Sequence, residues 1–317
     1  MEKRVAILMS TYNGEKYLGE QIQSIVDQDY DNWHLYIRDD GSKDNTPQII
    51  KSYADKDDRI TFFNEGKITN AGVVRSFMEL LEKTDADFYM FCDQDDFWLP
   101  TKVADTVKVM LELPYKQKPT CVHTDLKVVD SELKGSQLMN GDDEWHDFKH
   151  LMFSNCVTGC TMMVNQILKK EMKFAQLDYR RIYMHDWWLA LYAAAFGKVA
   201  YLNKPTILYR QHEDNVVGSY EKQTVSAYIH RLFHQQMDLK FAKRILNMAV
   251  EMNRLYGDKL FADRKKYIEN YARLTTDGTS MKNLALCLRY PPRRHSLKGD
   301  VFFSYLLIRY ARQFRTM

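Results

Sequence analysis

Four short, mostly apolar stretches recur through the N-terminal third of the chain, Val5–Met9, Leu35–Ile37, Ile60–Phe63 and Phe88–Cys92, and Val5–Met9 is apolar throughout. Such continuous runs are what strands buried on both faces require. Between them the apolar residues change period. Tyr17, Leu18, Ile22, Ile25 and Val26, then Ile49, Ile50 and Tyr53, then Val73, Val74, Phe77, Met78 and Leu81 fall at helical spacing. A β-α-β-α-β-α-β order predicts an α/β fold, a mostly parallel sheet with helices on both faces. Ligands of such sheets bind outside the carboxyl ends of the strands. Thr11-Tyr12, Asp39-Asp40 and the stretch Asp93-Gln94-Asp95-Asp96 all follow strands. Right-handed, short connections place these loops on one edge.

The pattern continues less regularly. A helix is expected from about Pro100, then strands at Thr120–His123 and Leu126–Val129, a buried helix at His185–Phe196, and strands at Val199–Leu202 and Thr206–Tyr209. From about Tyr220 the sequence becomes long, charged and helical, with Tyr228, Leu232, Phe233, Met237, Phe241, Ile245 and Met248 three to four apart. We therefore expect an α/β domain over 1–220 and a helical C-terminal region over 221–317. With 13 glycines and 7 prolines in 317 residues, a turn-rich all-β chain is disfavoured. The five cysteines are odd in number and lack zinc-site spacing, so reduced thiols are expected. Val5–Met9 is too short for the core of a secretory signal, and Trp187–Phe196 is too short to span a bilayer. These readings point to a cytoplasmic protein.

Three carboxylates within four residues repel one another unless a cation neutralises them, and a divalent ion bridging to a diphosphate would do so. A helix-capping turn would account for one aspartate and hardly for all of Asp93, Asp95 and Asp96. No GxxxxGK[ST] or GxGxxG occurs, which disfavours P-loop and dinucleotide-binding enzymes. Asp39-Asp40-Gly41-Ser42 suits a tight turn but also offers carboxylates to a base or ribose donor. Tyr12 can stack a base or simply pack.

Three segments together carry a resemblance: Val5-Ala6-Ile7-Leu8-Met9-Ser10-Thr11-Tyr12-Asn13-Gly14, Arg38-Asp39-Asp40-Gly41-Ser42-Lys43-Asp44-Asn45-Thr46, and Asp93-Gln94-Asp95-Asp96. Over about residues 1–220 the chain resembles family 2 glycosyltransferases of the GT-A fold. The resemblance implies a nucleotide-sugar donor, Mn²⁺ or Mg²⁺, and transfer with inversion. Thr11, Tyr12, Asn13 and one of Asp39 and Asp40 would hold the nucleoside. Asp95 would be the metal ligand, with Asp93 and Asp96 on ribose, sugar or the metal's surroundings. Inversion in one displacement needs a base for the acceptor hydroxyl. The family carries it at a helix start well after the metal motif, where Asp186 stands in Met184-His185-Asp186-Trp187-Trp188. Asp186 equally suits a helix N-cap. Trp187 and Trp188 would wall the sugar site or fill the core. The Gln-x-x-Arg-Trp signature of processive members is absent, which favours transfer of one or a few sugars.

Tyr209-Arg210-Gln211-His212 follows a strand, so Arg210 would clamp the diphosphate and His212 would complete the metal shell. With the His-Asp-Trp-Trp stretch, this pattern is similar to bacterial rhamnosyltransferases of cell-wall polysaccharides. That favours TDP-rhamnose as donor over a UDP-hexose or UDP-N-acetylhexosamine. A catalytically silent nucleotide-sugar-binding scaffold is the rival reading, disfavoured by the complete carboxylate set. Gly159 and Cys160 precede an apolar strand on the acceptor side, where Gly159 would allow close backbone approach.

The net charge of +3 conceals an asymmetry. Residues 281–317 hold eight cations against one acid, Asp300, leaving the body mildly acidic. Leu284, Leu286, Leu288, Phe302, Phe303, Leu306, Leu307 and Ile308 are interleaved with those cations, and Pro291-Pro292 splits the segment into two helices. A basic amphipathic segment reads as a membrane-surface contact. It would hold the protein at the inner face of the cell membrane beside a lipid-linked saccharide acceptor. A helical pair packing on its own domain or on a twin subunit is the alternative. No recognition motif accompanies the charge, so nucleic acid is not an expected partner.

Overall fold

A computed structural model describes residues 2–142, 145–211 and 236–315. The chain divides into two compact units. The first comprises Met1–His146, Cys156–Phe174 and Met184–His212. The second comprises Asp147–Asn155, Ala175–Tyr183 and Glu213–Met317. The boundary expected near residue 220 lies outside the described residues.

In the first unit β1 (Val5–Thr11), α1 (Leu18–Val26), β2 (Trp33–Asp39), α2 (Thr46–Ala54), β3 (Ile60–Phe62), α3 (Val73–Lys83) and β4 (Phe88–Cys92) follow the expected alternation. Then come β5 (Phe97–Trp98), α4 (Lys102–Glu112), β6 (Thr120–Val129), β7 (Gln137–Leu138), α5 (Phe148–Leu151, in the second unit), β8 (Met162–Asn165), α6 (Gln166–Glu171), α7 (His185–Phe196) and β9 (Lys198–Arg210). The strand order is β3-β2-β1-β4-β8-β6-β9-β5, with β7 beside β6. The strands β1 to β4 pair in parallel, whereas β8 runs antiparallel to both β4 and β6. Each pair of expected strands at 120–129 and 199–209 is one long strand, because β6 and β9 absorb irregularities in their shared register as bulges.

Alternate residues of each central strand meet different helices. Val5, Ile7, Met9, Met90 and Cys92 join a core with Leu18, Ile22 and Ile25 of α1 and Val103, Val107 and Met110 of α4. On the other face Phe91 meets Phe77 of α3 and His185 of α7, at ring distances of 5.8 and 5.1 Å. Both faces are thus covered, which is why the strands read as unbroken apolar runs. Each such side chain contributes about 1.5–3 kcal/mol by leaving water. The register Thr11↔Asp39 and Met9↔Cys92 brings the ends of β1, β2 and β4 to one edge.

The second unit is built around the helices Gln236–Tyr256, Ala262–Arg273, Ser280–Arg289 and Leu297–Arg309. It draws in two segments from the middle of the chain, which a single sequence boundary did not anticipate. Phe153 packs on Tyr271 and Phe303 at 4.7 and 5.5 Å, and Tyr183 packs on Phe241 at 6.0 Å. Buried Glu251 accepts from the Asp178 backbone N–H. These aromatic and polar anchors, distant in sequence, explain the interleaving. Among the described residues no helix is long and apolar enough to cross a membrane.

Candidate active site

The loops after β1 and β2 are knitted into one surface. The Asp39 carboxylate accepts from Thr11 Oγ1 at 3.1 Å, from Ser42 Oγ, and from the Gly41 and Ser42 N–H groups at 3.2 and 2.9 Å. The Asn13 N–H donates to Ser42 Oγ, and Asn13 Oδ1 accepts from the Lys43 N–H. Asn13 takes φ 49°, a conformation asparagine tolerates better than most residues. Tyr12 leaves half of its surface exposed at this edge. Asp40 differs from its neighbour. Its carboxylate binds Arg38 Nη1 at 2.7 Å, Ser76 Oγ at 3.0 Å and the N–H groups of Ala71 and Gly72. Asp40 therefore anchors the start of α3 to β2.

The tetrad turns away from the end of β4. Ligand atoms of Asp93, Asp96 and Cys160 lie within 4.8 Å of one another. Burial, then Asp95 and Asp186, push the Asp93 carboxyl up to about 7. Burial, with Asp95 and Asp93, raises Asp96 well above the carboxylate range. Among the described residues no N–H or O–H donates to the buried Asp96 Oδ2, and the neighbouring Cys160 thiol is only a weak donor. Burial and the two aspartates hold that thiol protonated. Carboxylates this costly as anions, one with an orphaned oxygen, fit a hard divalent cation. The cluster brings Cys160 to Asp93 and Asp96 and does not include Asp95.

Asp186 is buried in the first turn of α7. Its Oδ2 accepts from the Gly159 N–H at 3.0 Å, and its Oδ1 from the Trp187 N–H. Burial lifts its pKa to about 7, against the pull of those two donors. It lies close enough to raise the pKa of Asp93 as well. His185 beside it is stacked on Phe77 at 4.2 Å, and burial drops its pKa to about 3, so the ring is neutral.

Arg210, expected as a diphosphate clamp, is 1% exposed. Its guanidinium pairs with Glu20 and lies over the Tyr17 ring at 4.5 Å, while its backbone N–H donates to Asp96 Oδ1 at 3.3 Å. The arginine thus supports the tetrad and is not open to solvent. Trp187 and Trp188 are also buried, and Trp188 Nε1 donates to Met172 Sδ, so Trp188 belongs to the core and not to a sugar wall. A helix so apolar, packed between sheet and α6, leaves no open face for it. His212 lies outside the described residues.

Three residues had no role in the sequence reading. Gln94 bonds the backbone of Tyr12, and Glu20 pairs with Arg210. Lys102 is fully buried at the start of α4, 4.6 Å from the Trp98 ring centre. Burial draws its pKa down to about 8, with Asp96 among the groups opposing that fall. A lysine preceding a periodic apolar stretch carries no signal that it will be buried.

Residues 6–125 match the model of the family "Glycosyl transferase family 2". The chain is 27% identical over 219 residues to "dTDP-rhamnosyl transferase RfbG" of Shigella flexneri, covering 67% of this chain and 74% of that protein. Its fold is similar to that of TarS of S. aureus in complex with UDP, with TM-score 0.53 at 14% identity over 98% of this chain and 88% of that one. It is also similar to the mannosyltransferase PcManGT of Pyrobaculum calidifontis in complex with GDP-Man and Mn²⁺, with TM-score 0.52 at 14% identity over 100% and 84%. With its mixed, mostly parallel sheet and its carboxylate-lined strand edge, this chain is a glycosyltransferase whose residues 6–125 match family 2.

Proposed function

We propose that the protein is a metal-dependent, inverting transferase that moves L-rhamnose from TDP-rhamnose onto a lipid-linked or polysaccharide acceptor in cell-surface glycan synthesis. The observation that carries the inverting reading is the buried Asp186 carboxylate, aimed by the Gly159 N–H and with a pKa near 7 beside the tetrad. A base works best when its pKa lies near the working pH. Asp186 takes the proton of the acceptor hydroxyl as that oxygen attacks the anomeric carbon and the nucleoside diphosphate leaves.

Thr11, Tyr12, Asn13 and Asp39 hold the nucleoside. Asp93, Asp95 and Asp96 would hold Mn²⁺ or Mg²⁺, which when bound neutralises the charge gathering on the leaving diphosphate. Arg210 orients the tetrad through its bond to Asp96. Gly159 and Cys160 lie between the metal side and the base, as an acceptor-side wall. The donor follows the resemblance to RfbG, a named dTDP-rhamnosyl transferase.

The basic C-terminal helices support a peripheral place at the inner face of the cell membrane. Leu286, Phe303, Leu306 and Leu307 are spent on the second unit's own core. Met281, Leu284 and Leu288 on one helix and Leu297, Val301 and Tyr305 on the next remain exposed, Leu288 at 77%. Exposed apolar residues among Lys282, Arg289, Lys298 and Arg309 suit an anionic lipid surface.

The deciding experiment is nucleotide release by purified protein across a panel of TDP-, UDP- and GDP-sugars, with Mn²⁺ and with chelator. Release of TDP from TDP-rhamnose in preference to the others is expected. Preference for a UDP-sugar would replace the donor, and no release from any donor would favour a silent scaffold.

A further inference from the structure

Gln94 stands inside the tetrad, between two carboxylates, yet its side chain serves another loop. Its Oε1 accepts from the Tyr12 N–H at 2.8 Å, and its Nε2 donates to the Tyr12 carbonyl at 3.0 Å. The amide pairs with the Tyr12 backbone as a neighbouring peptide group would. This pairing also settles which end is oxygen, because the reverse orientation would set oxygen against oxygen. Gly14 makes the space for it. A Cβ at position 14 would lie 2.4 Å from Gln94 Oε1, 2.6 Å from its Cδ and 3.2 Å from its Nε2, and these are the three nearest atoms. Gly14 is not among the residues with positive φ, so its backbone would accept an alanine. What position 14 cannot accept is a side chain in the place that Gln94 occupies.

We propose that Gln94 is a positioning residue, a latch that ties the Tyr12 loop to the metal-binding tetrad, with Gly14 as its seat. The half-exposed Tyr12 ring is aimed by its backbone, and that backbone is held by Gln94. The base end and the diphosphate end of one nucleotide are thereby set at a fixed spacing. On this reading Asp93 and Asp95 would serve the metal and diphosphate, while the residue between them sets the loop for the nucleoside. This inference rests on the reading of Tyr12 as a nucleoside contact.

The test is calorimetric titration of TDP, in EDTA, into the full-length protein and four variants: Gln94→Ala, Gly14→Ala, the double variant and Tyr12→Ala. Chelation removes any metal contribution, so loss of affinity reports the loop. Gln94→Ala is expected to weaken TDP about tenfold, the value of two partly exposed hydrogen bonds that hold a binding loop. Gly14→Ala should do the same by evicting Gln94. The double variant should be no more than about twofold weaker than Gln94→Ala alone, because the clash disappears with the side chain. Donor KM should rise in parallel while kcat stays within about twofold. A residue that only stabilised the fold would lower the melting temperature without moving KM or Kd.

Wild-type TDP affinity in Gln94→Ala, or losses that add in the double variant, would overturn the latch. If Gln94→Ala weakens TDP and Tyr12→Ala does not, the latch stands and the reading of the Tyr12 ring falls.

Discussion

The Gly159 backbone N–H donates to Asp186 Oδ2 at 3.0 Å, so the orientation of a buried carboxylate depends on a residue without a side chain. A Cβ at position 159 would meet His185 Nε2 at 3.0 Å and Cε1 at 3.3 Å. His185 is itself stacked on Phe77 and has little room to retreat. Gly159→Ala is expected to lower kcat about 10- to 100-fold through a misaligned base, with TDP affinity nearly unchanged. Steady-state kinetics beside calorimetry test this, and a wild-type kcat would count against it.

Asp186→Asn should cost transfer about 10²–10⁴-fold while nucleotide and metal binding persist. In the wild type the base is the ionised form, so kcat should rise with pH through about 7 and level off above it. Stability moves the opposite way. The native carboxyl holds its proton more tightly than the unfolded one, whose value is 3.8, so this group's contribution is full below 3.8 and is lost as pH rises toward 7. In chelator at pH 8, Asp186→Asn should therefore melt above the wild type. A kcat unchanged from pH 5.5 to 8, or a lower melting point for the variant, would contradict the assignment.

Chelation should abolish transfer, and Mn²⁺ or Mg²⁺ should restore it. A second readout is independent of turnover. Asp93 and Asp96 are strained as anions by burial and by each other, so a divalent cation should raise the melting temperature more at pH 8 than at pH 5. Full activity in EDTA, with no metal-dependent thermal shift, would remove the metal role.

Arg38 and Asp40 are both buried and bond at 2.7 Å. Arg38→Met leaves the carboxylate without its cation and should cost about 3–5 kcal/mol of unfolding free energy. Chemical denaturation gives the value, and a loss below about 1 kcal/mol would show that the pair is not an anchor.

The protein should sediment with vesicles containing phosphatidylglycerol. Leu288→Asp with Leu297→Asp should weaken that association while leaving the fold intact, because both side chains are exposed. Salt-resistant binding of the double variant would locate the contact elsewhere.

The alternation of strand and helix was legible because period and burial are local properties. Val5–Met9 and Phe88–Cys92 are apolar throughout since both faces are covered, and a sequence reader sees that directly. The carboxylates of the strand edge were legible for a related reason. Parallel strands joined by short crossovers must end together, so Thr11, Asp39 and Asp93 could be placed side by side without coordinates. Some errors came from the same reliance on locality. Two apparent strands at 120–129 are one, because pairing to β9 carries the chain through a bulge that has no local signature. Phe153 and Tyr183 precede the expected boundary in sequence, but their partners Tyr271 and Phe241 lie far along the chain.

Sequence alone determined the α/β order, the edge where chemistry gathers and the residue types assembled there, since each follows from periodicity and connection rules. Tertiary structure alone decided how those residues divide the work. Asp39 and Asp40 are chemically identical neighbours, but at the end of β2 one turns to Thr11 and Ser42 and the other to Arg38. Arg210 reads as an open cation and is instead buried against Glu20. Gln94 reads as a spacer and reaches the Tyr12 backbone. Hydrogen-bond partners and burial are set by chain segments tens to hundreds of residues away, and no local pattern encodes them.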